Sequence, residues 1–164
     1  MSSSDPVSDP VLTRRALLAL GAALPVAACG FTPAYGPGGP AEKLQGAIRV
    51  ADPQDKNDFD LVERLEERIG RPQAARYDLD YTVATRQVGV GVTPENTITR
   101  YNLVGTVDWR LTARGTGARI TAGRVENFTS WSATGSTVAG LAAEEDAASR
   151  LMRILADQMV VQLV

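Results

Sequence analysis

At 164 residues, 44% hydrophobic and 22% charged, the chain carries enough apolar material for one packed domain and too much for a disordered segment. Its net charge of −2 gives no electrostatic ground for binding nucleic acid, which needs a clustered excess of Lys and Arg. With no histidine and one cysteine, it lacks the parts of a Ser-His-Asp or Cys-His nucleophile, of the usual zinc sites and of an internal disulfide.

Residues 1–28 have the order of a lipoprotein signal peptide. A polar, acidic start is followed by Arg14-Arg15 and then by an apolar run, Ala16 to Ala28, broken only by Gly21 and Pro25. As a helix that run would cover roughly 20 Å, short of the ~30 Å hydrocarbon core, so it does not read as a spanning helix. It ends in Val26-Ala27-Ala28-Cys29-Gly30, which resembles a lipobox: an aliphatic residue, two small ones, then the cysteine whose thiol takes a diacylglycerol before cleavage. Cys29 is therefore the expected lipidation site, bearing the covalent diacylglycerol and, after cleavage, an N-acyl chain; no other cofactor is expected. Several acyl chains hold a protein at a bilayer where one does not. Gly30, in place of Asp, is compatible with sorting to the outer membrane, which would put the domain on its periplasmic face. The Thr13-Arg14-Arg15-Ala16-Leu17-Leu18 stretch also resembles a twin-arginine export signal, and Sec export stays open beside it.

Residues 29–46 are rich in Gly, Pro and Ala and read as a flexible tether. The folded domain is expected over 47–164. Ala47-Ile48-Arg49-Val50 is a short strand closed by the Asp52-Pro53 turn. Asn57 to Ile69 reads as a helix, with Leu61, Val62, Leu65 and Ile69 at helical spacing, Asn57 or Asp58 as cap, and Gly70 and Pro72 as stop. From Arg76 the period becomes two: Tyr77, Leu79, Tyr81 and Val83 share one face of a strand. A loop with Gly89, Gly91 and Pro94 then leads to a long strand in which Tyr101, Leu103, Gly105, Val107, Trp109 and Leu111 alternate with polar residues. Arg114-Gly115-Thr116-Gly117 predicts a hairpin to a strand over Arg119 to Phe128. Leu141 to Leu163 predicts a helix whose apolar stripe is Ala147, Ala148, Leu151, Ile154, Leu155 and Val161. The order β-α-β-β-β-α implies an α+β fold, with an antiparallel four-stranded sheet and two helices packed on one face. The other face, with Asn102, Thr106, Arg110 and Thr112, is left for solvent or a partner.

Three chemical motifs lose to plainer readings. Asp55, Asn57, Asp58 and Asp60 suggest a calcium loop but lack its central Gly and distal Glu, whereas acids suit a helix N-terminus. Gly89-x-Gly91 lacks the third glycine and the following helix of a nucleotide fingerprint. Asp78 and Asp80 share a strand face, as a carboxylate pair of a hydrolase would, but nothing in the sequence supplies an oxyanion donor set, and no catalytic residue is assigned.

The Cys29-Gly30-Phe31-x-Pro33-x-Tyr35-Gly36 start, the Thr99-Arg100-Tyr101-Asn102-Leu103 strand opening and the Ala143 to Leu151 helix segment, in this order and spacing, resemble the lipopolysaccharide-assembly lipoprotein family LptE. The resemblance implies a non-enzymatic outer-membrane lipoprotein that sits in the lumen of the translocon β-barrel LptD, helps it assemble and contacts lipopolysaccharide. Under that reading Arg100, Arg110 and Arg114 are candidate contacts for a phosphate-rich ligand, and no metal site is expected. The alternative is an auxiliary lipoprotein of an ABC-type lipid transport system, which shares the anchor, the size and the α+β character.

Overall fold

The computed structural model describes residue 39 and residues 44–133 and 136–164. The signal segment, Cys29 and most of the predicted tether lie outside the described residues. Within them the elements are β1 (Ile48–Val50), α1 (Lys56–Ile69), β2 (Tyr77–Val92), β3 (Ile98–Ala113), β4 (Arg119–Ser132) and α2 (Thr137–Leu163), and the strands lie in the order β1-β2-β3-β4. This is the expected β-α-β-β-β-α order, with one correction: the sheet is mixed, not antiparallel throughout. β1 runs parallel to β2, with Ile48 opposite Tyr77 and Val50 opposite Leu79, while β2, β3 and β4 form an antiparallel meander. The cause is α1, a crossover that carries the chain back to the end of the sheet from which β1 set out, as a parallel pair requires.

Local chemistry fixes the ends of α1. The Asp55 carboxylate accepts from the Asp58 N–H at 2.9 Å, so the N-cap is Asp55 and not the residues expected from sequence. Gly70 ends the helix at φ 78, where a side chain would be strained. Gly46, at φ 64, ties the incoming chain to that end: its N–H donates to the Ile69 carbonyl at 2.9 Å and its own carbonyl accepts from Gln73 at 3.0 Å. The chain therefore enters the domain beside the C-terminal end of α1, here called the entry end.

β2 runs on through Gly89 and Gly91 to Val92 instead of ending in the predicted loop. The pairing with β3 slips between Gly89 and Val92, a bulge that absorbs the irregular residues. Gly91 permits it, because a Cβ there would stand 2.9 Å from Thr99 Oγ1 and 3.1 Å from Arg100 Cβ. Each of β2 and β3 has 16 residues and so spans roughly 53 Å. The predicted Arg114 to Gly117 turn joins β3 to β4 with Gly115 and Gly117 at positive φ.

Both helices cover the face formed by the odd-numbered residues of β2 and β3. Leu79, Leu103, Val107, Trp109, Leu111 and Val125 of the sheet are buried against Leu61, Leu65 and Ile69 of α1 and Leu151, Leu155 and Met159 of α2. Each such side chain contributes about 1.5–3 kcal/mol on leaving water. The α2 stripe differs from the expected one: Met152, Ala156, Met159 and Val160 are buried, whereas Ile154 and Val161 are exposed. α2 touches α1 as well as the sheet, so its buried surface wraps toward α1 and leaves those two residues on the far flank. Arg64 on α1 grips Asp157 on α2 through both Nε (3.1 Å) and Nη2 (3.0 Å). At the other end of α2 the buried Thr129 hydroxyl donates to the Ala147 carbonyl at 2.7 Å.

Candidate partner-binding surface

Strand alternation sends the even-numbered side chains of β2, β3 and β4 to the face without helices, and none of Asp78, Asp80, Thr82, Asn102, Asp108, Arg110, Arg124 or Glu126 is buried. Near the entry end this open face carries cross-strand charge pairs. Arg110 lies opposite Asp80 and donates to it at 3.2 Å. Arg124 reaches Asp108 at 3.7 Å, and Arg114, just past β3, reaches Asp78 at 3.9 Å. These pairs are exposed, so each adds only about 0.2–1 kcal/mol to stability; their larger effect is to present alternating charge in fixed positions.

Toward the β2–β3 turn the same face becomes mixed. Ser130 donates to Asn102 at 2.6 Å, and beside them Phe128 and Val88 are exposed. Val90, Val92 and Ile98 of the hairpin and Val138 and Leu141 of α2 are exposed too, at the end away from chain entry. On the helix side of this end Tyr101 stacks on Trp131 with ring centroids 5.0 Å apart.

The structure brings only two of the three candidate arginines together. Arg110 and Arg114 stand near the entry end, each beside an aspartate. Arg100 pairs with Gly91 and Ser132 at the opposite end, ten residues and roughly 33 Å away along β3. One phosphate group could not be held by all three. Asp78 and Asp80 do share a face, as expected, but each has an arginine neighbour, and the hollow they line with Arg49, Asp52 and Thr112 holds no oxyanion donor set.

The acids at the start of α1 are engaged by the helix: Asp55 caps it, Asp58 accepts from the Gln54 N–H at 3.1 Å, and Asp60 receives Lys56 Nζ at 2.7 Å. Among the described residues no group of three or more His, Cys, Asp or Glu could hold a metal ion. Tyr81 lies within the field of this acidic segment. Its hydroxyl is buried without a hydrogen-bond partner, and burial first, then Asp58, Asp55 and Asp52, push its phenol up to about 12. The alternation of the long strand already placed Asp108 among its polar residues, but sequence reasoning missed Arg124 and Phe128, although continuing the period-two pattern into β4 would have placed both on the open face.

A family model for lipopolysaccharide assembly, LptE, matches residues 46–163, well over half of the chain and the whole of the sheet and both helices. The chain belongs to the LptE family. Solved structures show the same fold. A Caulobacter crescentus CB15 protein described as a lipoprotein is 23% identical, with a TM-score of 0.65 over 76% of this chain and 92% of that one. Rare lipoprotein B from Shewanella oneidensis is 15% identical, with a TM-score of 0.55 over 71% of this chain and 91% of the other. A minor lipoprotein from Acinetobacter baumannii gives 18% and 0.51 over 71% and 87%. No curated protein sequence matches the chain. The LptE assignment and the fold agree with the resemblance read from the Cys29, Thr99 and Ala143 segments.

Proposed function

We propose that this LptE-family chain is a non-enzymatic outer-membrane lipoprotein, anchored on the periplasmic face through acylated Cys29. It partners and fills the lumen of the lipopolysaccharide translocon barrel LptD and supports both barrel assembly and delivery of lipopolysaccharide to the cell surface. The observation that carries the reading is the family match over residues 46–163. The geometry suits it: a wide barrel has a polar lumen, and the open face offers ordered, alternating charges such as Asp80–Arg110 and Asp108–Arg124 to such a wall. Chain entry at Leu44 to Ala47, at one end of the sheet, lets the anchor leave from the rim while the body occupies the pore. Arg100, Arg110 and Arg114 remain proposed contacts for phosphate groups, now at two places: Arg110 with Arg114 near the entry end and Arg100 at the other end of β3. Clean depletion of the chain should leave the translocon barrel misassembled and lower surface lipopolysaccharide. Normal surface lipopolysaccharide after depletion would reject the proposal.

A further inference from the structure

Three segments meet at the entry end and are hydrogen-bonded into one rim. The Gly46 carbonyl accepts from Gln73, the Ala47 carbonyl from Arg76 at 2.7 Å and the Arg76 carbonyl from Arg114 at 2.8 Å, which joins the incoming chain, the connection after α1 and the β3–β4 turn. These segments are basic. From Arg68 to Tyr77 the chain carries Arg68, Arg71 and Arg76 and no acid, and from Trp109 to Val125 it carries Arg110, Arg114, Arg119 and Arg124 and no acid. Of these, Arg68, Arg71, Arg76, Arg114 and Arg119 stand on the rim itself, where the acids are Glu66 and Glu67 of the last turn of α1 and Asp78. Arg68, Arg71 and Arg76 line, with Glu67 and Gln73, a hollow of 720 Å³ beside Gly46. The turn stands clear of the body: among the described residues nothing lies within 4 Å of a Cβ placed at Gly115 or Gly117, and Ile120, beside Arg119, is 54% exposed. Toward the far end the sign reverses, with Glu95, Glu144, Glu145 and Asp146 outnumbering Arg86, Arg100 and Arg150.

We infer that this arginine rim docks on the anionic headgroups of the lipid leaflet that holds the anchor. Charge and chain path select the same end. Leu44 follows Cys29, the expected lipidation site, by 15 residues, and a coil of that length spans roughly 21 Å on average. The rim, and not the acidic end roughly 53 Å away along the strands, is therefore the part held close to the bilayer. Attraction to an anionic surface dies away over about 8 Å at physiological salt, so only arginines brought this near can use it. Reach alone would leave the orientation of the domain undecided. A basic rim that is attracted and an acidic end that is repelled fix which end faces the lipid. Guanidinium groups match phosphodiester oxygens through paired N–H donors, and Ile120 supplies an apolar side chain for the interface beside Arg119. The rim's own acids do not prevent this: Glu66 lies 3.2 Å from Arg71 and Asp78 3.9 Å from Arg114, but solvent-exposed pairs of this kind are weak and exchange readily for a headgroup phosphate. The inference rests on the acylated Cys29 of the proposed function and not on the barrel.

Energy transfer from the native, acylated chain in vesicles tests it. With Cys29 acylated the chain has no other thiol, so a donor dye goes to one introduced cysteine, Ala118→Cys in the β3–β4 turn or Thr97→Cys in the β2–β3 turn, both at exposed positions. The acceptor is a headgroup-labelled lipid. In phosphatidylcholine vesicles with about one-third phosphatidylglycerol, transfer from Ala118→Cys should exceed that from Thr97→Cys at least about threefold, as ends roughly 53 Å apart allow. In phosphatidylcholine alone, or at about 0.5 M salt, that ratio should fall at least about twofold. Arg71→Glu/Arg119→Glu should give the phosphatidylcholine ratio in both kinds of vesicle. Arg86→Glu/Arg153→Glu, the same change of charge away from the rim, should keep the parent's behaviour. All four arginines are exposed, far-UV circular dichroism checks that both double variants fold, and Arg114, already a proposed phosphate contact, is left intact. Equal ratios in the two kinds of vesicle, or control reversals as damaging as those on the rim, would overturn the inference. A chain that leaves neutral vesicles altogether would remove the anchor, and the inference with it.

Discussion

Replacing glycine by alanine at two places in α2 and the strand beneath it should change stability with opposite signs. A Cβ at Gly123 on β4 would stand 2.6 Å from Trp109 Cζ2 and 2.6 Å from Gln162 Oε1. The indole is rigid and buried, and its Nε1 donates to that same Gln162 oxygen at 3.3 Å, so neither neighbour can yield without breaking the contact. Overpacking of this kind costs about 1–3 kcal/mol and the lost hydrogen bond about 1 kcal/mol. Reduced backbone freedom in the unfolded chain offsets roughly 0.5–1 kcal/mol. Gly123→Ala should therefore destabilise by about 1–3 kcal/mol. Gly140 in α2 has nothing within 4 Å of its would-be Cβ, so Gly140→Ala meets only the helix preference for alanine and should stabilise by roughly 0.5 kcal/mol. Urea unfolding followed by tryptophan fluorescence measures both, since Trp109 reports directly on the crowded site. A neutral or stabilising Gly123→Ala, or equal losses at both positions, would refute the packing of α2 on β4 described here.

Other expected outcomes follow from single contacts. Because the Tyr81 phenol is raised to about 12, the folded state holds that proton more tightly than the unfolded state. Its contribution is complete below about pH 10 and disappears as pH rises from 10 toward 12; with solvent screening it amounts to about 1 kcal/mol. Tyr81→Phe should flatten that alkaline loss in denaturant midpoints taken across pH 8–11.5, and an unchanged slope would count against the buried phenol. Asp157→Asn removes the carboxylate that Arg64 and Arg68 share and should cost about 1 kcal/mol, a loss that shrinks in 1 M salt; salt-independent destabilisation would point to some other cause. Thr129→Val removes the buried hydroxyl that bonds the Ala147 carbonyl and should lower stability by about 1–2 kcal/mol by thermal unfolding, with no loss expected if that bond is absent. Mass spectrometry of the native protein should find a chain that begins at Cys29 and carries acyl mass, and an intact, unmodified chain from Met1 would remove the proposed anchor.

Most of the fold was legible because it rests on period and punctuation. The alternation from Tyr101 to Leu111 became β3 with its odd residues from Leu103 to Leu111 buried, and Gly115 and Gly117 made the turn that their tolerance of positive φ suggests. What was missed depends on partners distant in sequence. The direction of β1 is set by the return of the chain through α1, which a three-residue strand cannot announce. Gly89 and Gly91 signal a break, yet pairing with the long β3 carries the strand past them as a bulge. The choice of Met152 and Met159 over Ile154 and Val161 for burial follows from α2 touching α1 as well as the sheet, a contact invisible in the periodicity of one helix. On the candidate surface, Arg110 and Arg114 were singled out by residue type and position alone. Their aspartate partners, and the separation from Arg100, needed the register.

The proposed role stands most directly on what holds this domain in the cell. Purified under mild detergent from outer membranes through a tag on the full chain, the protein should bring with it a large β-barrel, identified by mass and by its heat-modifiable migration. Recovery with no barrel, or with an ATPase complex and a lipid-shuttling subunit in its place, would contradict the account.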